Sequence, residues 1–170
     1  MDIASIVETI LQTPDCIVHP PAGIPTVRNG HVLPDDLRRF FYLCGVVDLY
    51  TEMPFSLSIV PPPKLVLANP VIIHAWSEEE LRRDEPMDIS WSWYIIGEGA
   101  NKQYITIDLS NERLGYCYDS YWELHAGHSL IIATSFTDLL YRLLTNWGQH
   151  WYWLEPGFKP LGSPYDLPEA

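Results

Sequence analysis

Few residues in this chain are of types that do chemistry, and their spacing argues against most of the chemistry they suggest. His125 and His128 are separated by two residues. A zinc site takes four ligands, usually drawn from close pairs. No Cys-x-x-Cys accompanies these histidines, because Cys16, Cys44 and Cys117 stand far apart, so no metal or other cofactor is expected. A nucleophilic site needs a Ser or Cys activated by a neighbouring base. Ser135 lies in Ala133-Thr134-Ser135-Phe136-Thr137, which lacks the Gly-x-Ser-x-Gly elbow, and it suits a helix N-cap. Cys117 stands between Tyr116 and Tyr118 in a predicted strand, where a free cysteine packs as a small apolar residue. Gly97-Glu98-Gly99 has neither the following helix nor the Lys-Ser/Thr of a phosphate loop and reads as hairpin turn. The carboxylate groups at Asp35/Asp36, Glu78 to Glu80 and Asp84/Glu85 carry little information in an acidic chain. Acid–base catalysis needs a pocket that shifts a pKa, and none is visible. No catalytic residue is expected.

Binding chemistry is what remains. Ten basic residues against 22 acidic ones give a net charge of −12. A phosphate backbone or an anionic membrane would repel that field, so nucleic acid and membrane are not the expected partners. A basic protein would be drawn to it, with a raised on-rate. The acids Asp48, Glu52, Glu98, Asp119 and Glu123 fall at predicted loops or strand ends and form the expected partner-binding set. Tyr121 and Trp122 join them, because Tyr118-Asp119-Ser120-Tyr121-Trp122-Glu123 reads as a loop mixing aromatic and acidic residues, and Tyr and Trp dominate binding hot spots. The alternative for these two aromatics is that they fold back onto the sheet.

An odd number of dispersed cysteines argues against a disulfide framework and for a reducing compartment. The opening Met1-Asp2-Ile3-Ala4-Ser5 carries no base and begins an amphipathic pattern, not a signal peptide. No apolar run approaches the ~20 residues that span a bilayer. A cytoplasmic location is expected.

These side chains need a scaffold, and its elements can be read in order. Ile3, Ile6, Val7, Ile10 and Leu11 keep helical spacing up to Pro14. Residues 14–32 are rich in Pro and Gly and read as loop, with a short extended piece at Ile24 to Val27. Pro34, Asp35 and Asp36 open a second helix with Leu37, Phe40, Phe41 and Cys44 on one face and Gly45 as a left-handed stop. Phe55 to Val60 reads as a strand and Leu65 to Ala68 as a strand or bridge. Ser77 and Glu80 form a capping box for a brief surface helix. Trp91 to Ile96, Tyr104 to Leu109 and Gly115 to Tyr118 form an antiparallel meander joined by turns at 97–101 and 110–113, with Ile105, Ile107 and Leu109 on one face. Ser135 and Asp138 cap a final helix carrying Phe136, Leu139, Leu140, Leu143, Leu144 and Trp147, ended by Gly148. Pro156, Pro160, Pro164 and Pro168 exclude a regular helix beyond. The expectation is one α+β domain over residues 1–150, a mostly antiparallel twisted sheet flanked by helices. Residues 151–170 form a Trp- and Pro-rich tail packed on it, with Trp151 and Trp153 as anchors.

The order of these pieces resembles the SUKH superfamily, which includes bacterial toxin-immunity proteins and a fungal regulator of cell-wall glucan synthesis. Three segments over residues 33–147 carry the resemblance: Leu33-Pro34-Asp35 through Phe40-Phe41-Tyr42 to Gly45; Trp93-Tyr94-Ile95-Ile96-Gly97 followed by Tyr104 to Leu109 and Gly115 to Tyr118; and Ile132-Ala133-Thr134-Ser135-Phe136 through Leu139-Leu140. The chain departs from the usual pattern where a glycine pair follows the first of these helices, here Gly45-Val46, and at the central turn, here Ala100-Asn101. The resemblance implies a SUKH-like α+β fold, no shared catalytic residues, and function by protein binding, often by blocking a toxin. Together with the −12 charge it points to a basic toxin domain as partner. The alternatives are a small-ligand-binding or enzymatic protein with a cleft beside the sheet, or a general cytosolic regulatory module. Oligomeric state is left open.

Overall fold

A computed structural model describes residues 1–84, 86–121 and 128–166. Among these residues seven strands form one open antiparallel sheet in sequence order: β1 Ile17–His19, β2 Val46–Leu49, β3 Leu57–Ile59, β4 Trp93–Gly99, β5 Gln103–Asp108, β6 Cys117–Tyr121 and β7 Leu130–Ala133. Five α-helices are described: α1 Ile3–Gln12, α2 Asp35–Leu43, α3 Asn69–Ile72, α4 Glu78–Asp84 and α5 Phe136–Leu144. The α+β class expected from the sequence holds.

The three long helices start where the sequence stops them from starting earlier. Asp2 caps α1 by accepting from the Ser5 amide at 2.9 Å. Pro34 caps α2, with Asp35 and Asp36 in its first turn. Ser135 caps α5 by accepting from the Asp138 amide at 3.0 Å. The Asp138 carboxylate reaches back to the Thr134 amide, one residue before the cap. These helices bury Ile3, Ile6, Val7 and Ile10, then Leu37, Phe40 and Phe41, then Phe136, Leu139, Leu140 and Leu143. Phe40 meets Phe41 and Phe136 edge-on at 5.4 and 5.0 Å. Full burial of one such ring contributes about 1.5–3 kcal/mol, and these rings join α2 to α5.

Pairing register assigns side chains to two faces, because directly opposed residues point the same way. On the helix-covered face one row runs Val18, Val47, Ile59, Gly97, Ile105 and Asp119. On the far face the neighbouring row runs Ile17, Asp48, Ser58, Glu98, Tyr104 and Ser120. Past α5 the helix-covered face is closed by Trp151, Tyr152 and Trp153, all buried in the main core. Trp151 donates its indole N–H to the Phe55 carbonyl at 3.0 Å, and Tyr152 its hydroxyl to the Ile132 carbonyl at 2.7 Å.

Several elements differ from the sequence reading. Ile17–His19 is a strand inside the expected loop, whereas Ile24 to Val27 forms none. Leu130–Ala133 is a seventh strand that the sequence pattern does not mark. Leu11 is exposed, so the apolar face of α1 is narrower than its spacing suggests. Helix α5 ends at Leu144, leaving Trp147 exposed. Gly45 does not take the left-handed conformation. It is glycine because any Cβ there would collide with the Pro20 carbonyl oxygen. Gly97-Glu98-Gly99 belongs to β4, and the turn is Ala100–Lys102, with positive φ at Asn101 and Lys102. Gly99 is needed because the Trp151 ring would stand 2.7 Å from a Cβ there. Finally, β6 runs on through Tyr121, so residues 118–121 are strand and not loop.

Candidate protein-binding face

The far face of the sheet is closed at one end and open at the other. The closed end is built around Asp108, which is fully buried. Its carboxylate accepts from Ser92 Oγ at 2.7 Å, the Ser110 amide at 2.8 Å, Trp93 Nε1 at 3.1 Å and the Tyr118 hydroxyl at 3.4 Å. Trp93 and Tyr118 stack at 3.8 Å across β5. Burial, first, and then the Asp108 charge push the Tyr118 phenol far above its ordinary pKa. Beside them Thr106, Ser120 and Ser129 form a buried hydroxyl chain at 2.8 and 3.2 Å. The chain after α5 returns here: Leu161 N–H donates to the Ile131 carbonyl, and Tyr165 donates its hydroxyl to Asp88 at 2.6 Å. Every polar atom named in this region has a partner, as buried polar groups in a stable core do.

The open end holds Asp48, Ser58, Glu98 and Tyr104 in one cross-strand row. Ser58 donates to Asp48 Oδ1 at 2.5 Å, and His19 Nε2 lies 2.7 Å from Oδ2. Lys64 approaches Glu98 at 3.4 Å. The His19 side chain is 46% exposed and that of Lys64 65%. Exposed pairs of this kind are worth about 0–1 kcal/mol, so an incoming base can displace either side chain at little cost. Beside the row lies a hollow of about 260 Å³ lined by Val60, Pro63, Val66, Val71, Ile95 and Tyr104. Val66 and Val71 also line the next hollow, about 450 Å³, which ends at Arg28 and Glu78. The arrangement can seat an apolar side chain between two carboxylate-bearing edges. Burial, with a smaller contribution from Glu98, raises the Tyr104 phenol pKa, so it stays a neutral hydrogen-bonding group at neutral pH.

The residues expected to bind a partner divide between the faces. Asp48 and Glu98 share the open row. Glu52 is exposed in the β2–β3 turn, at the same end of the sheet as the β4–β5 turn. Asp119 lies on the opposite face, opposed to Ile105 and hydrogen-bonded by the Gln103 side-chain amide. Burial pushes its carboxyl up to about 6, partly offset by Gln103 and by the Trp153 indole. That indole favours the charge without reaching hydrogen-bond geometry. Tyr121 is on the Asp119 side and 48% exposed. Trp122 and Glu123 lie outside the described residues, as does His125. The sequence reading missed Ser58, Tyr104 and the valine-lined hollow. Alternation in Tyr104-Ile105-Thr106-Ile107 was the available signal for Tyr104.

The nucleophile candidates serve structure. Ser135 Oγ is engaged as the α5 cap. Cys117 is fully buried, and burial together with the charges of Asp36 and Asp138 drives its thiol well above the ordinary value. All three cysteines are free. Among the described residues no group of three His, Cys, Asp or Glu is placed to hold a metal ion, and no helix is long and apolar enough to cross a membrane.

Comparison with known proteins places this geometry among relatives. No solved structure matches the chain. Immunity protein YokJ of Bacillus subtilis (strain 168) is 40% identical over 168 residues, covering 98% of this chain and 97% of that protein. The SMI1/KNR4 family (SUKH-1) matches residues 28–142, from the approach to α2 into α5. That span includes six of the seven strands and most of the open row's surroundings, and on it the chain belongs to the SMI1/KNR4 family (SUKH-1).

Proposed function

We propose that this chain is an immunity protein that acts without catalysis, binding a basic toxin domain in the cytoplasm and blocking it. The observation that carries the reading is the end-to-end 40% identity to a protein named as an immunity protein. The net charge of −12 supports a basic partner, since complementary fields raise association rates and penalise wrong partners. The open row of Asp48, Ser58 and Glu98 supplies the direct contacts, with Glu52 at the neighbouring turn. Tyr121, with Trp122 and Glu123 next in sequence, adds aromatic and acidic contacts. Asp119 acts from behind, on the opposite face, where Gln103 holds its carboxylate. Exclusion of substrate from the toxin's own site is sufficient for neutralisation, and no bond is made or broken.

The test is co-expression with a toxin encoded beside this chain, scored by growth rescue, together with calorimetry of the purified pair at low and high salt. The expected result is rescue and a one-to-one complex that weakens as salt rises. A chain that neither rescues growth nor binds the toxin at either salt sinks the reading.

A further inference from the structure

A separate cavity of about 230 Å³ lies between α3, α4 and the short helical turn at Ile89–Ser92. Its walls are Ile73, Trp76, Leu81 and Trp91, and its polar groups are Asn69, Asp84, Asp88 and Ser90. Two features make it more than a surface dent. Asn69 is 5% exposed and its Nδ2 donates to Ser90 Oγ at 2.8 Å, yet its carbonyl oxygen Oδ1 is buried with no donor. Leaving a buried acceptor without a donor is unfavourable, so such a group in a folded protein calls for an explanation, and a donor from outside the chain is one. Ser90 cannot serve it, because the Ser90 hydroxyl is already given to Asp88. The second feature is charge. Among the described residues the ionisable groups lining the cavity are both carboxylates, Asp84 and Asp88.

We propose that this cavity is a recognition pocket for one arginine side chain of the polypeptide partner, its guanidinium lying against the tryptophan walls and donating to Asn69 Oδ1 and the Asp84 carboxylate. The volume suits a single side chain and falls below the roughly 300–1,000 Å³ typical of drug-sized ligands. A guanidinium presents several N–H donors in one plane and stacks on aromatic faces, so one group meets both requirements. The protein already uses this mode at the same ring: Arg82 sits 3.9 Å over Trp91. Arg82 does not line the cavity and is neutralised by Glu78 at 2.9 Å, so the pocket is not its place. A lysine ammonium would satisfy the acceptors but gain less from the rings.

The inference rests on the partner being a protein, as proposed above, but its test does not use the toxin. The purified chain is titrated with Nα-acetyl-arginine methylamide and followed by the indole N–H and side-chain amide signals in two-dimensional NMR. Nα-acetyl-citrulline methylamide is the uncharged isostere. The expected result is weak saturable binding that shifts Trp76, Trp91 and Asn69, with the citrulline compound and the Asp84→Asn variant each about tenfold weaker. Asp84 is exposed, so this variant keeps the fold. Equal binding of both compounds, or no shift of these three residues up to the solubility limit, overturns the pocket. Arginine binding by a chain that rescues no growth would remove the immunity reading and leave the pocket standing.

Discussion

Asp48 and Asp119 sit on strands of one sheet and meet opposite fates. Asp48 faces outward, accepts from a serine hydroxyl and lies against an exposed, displaceable histidine. Asp119 faces the helices, beneath Trp153, and burial raises its carboxyl to about 6. Asp108 shows a third solution, since it is more deeply buried than either yet accepts from four donors. An acid in a sheet is thus structural, poised or available according to how many donors surround it and which face it takes.

The largest effect that can break this comparison is at Asp108. Asp108→Ala strands the buried Trp93 indole and Tyr118 hydroxyl, and we expect a loss of about 3–5 kcal/mol in urea unfolding. Gly99→Ala comes next. A methyl group there collides with the Trp151 ring, and destabilisation of about 1–3 kcal/mol with a changed tryptophan fluorescence is expected. Asp119→Asn should act in the opposite direction. The unfolded chain loses this proton near the ordinary 3.8, the folded chain only near 6. Stability therefore falls as pH rises between these values and stays lower above them. The amide that replaces the carboxyl has no proton to lose, so the variant should be more stable by on the order of 1–2 kcal/mol at pH 7. That gain should vanish below about pH 4, where the carboxyl is protonated in both states. An equal gain at both pH values would mean that burial of the charge is not the cause. The smallest change in stability belongs to the open row. Asp48→Lys with Glu98→Lys should leave unfolding within about 0.5 kcal/mol while slowing association with the proposed basic partner about tenfold at low salt. Unchanged association would move the binding face elsewhere.

Long periodic elements were legible without coordinates. Most of the buried faces of α1, α2 and α5, the Ser77–Glu80 capping box, the Ser135 cap and the alternation in β5 follow from side-chain spacing alone. The short strands β1 and β7 were not, because three or four residues carry no period of their own and become strands only when a neighbour offers its unpaired edge. The expected binding set suffered from the same limit. Asp48 and Asp119 look alike as strand-end acids, but a shift of one residue in register exchanges the faces. Glycines were legible as special positions and misread in purpose. Gly45 and Gly99 are required by Pro20 and Trp151, which lie far away in sequence and close in space.

From sequence alone came the α+β class, the net acidity, and the lack of a spaced catalytic or metal motif, because composition and local period are properties of the chain itself. Tertiary structure alone decided which acids share a face, that Trp151 to Trp153 close the sheet, and that Asn69 is left with an unanswered carbonyl. Those are outcomes of register and packing between residues distant in the chain, and no local pattern records them.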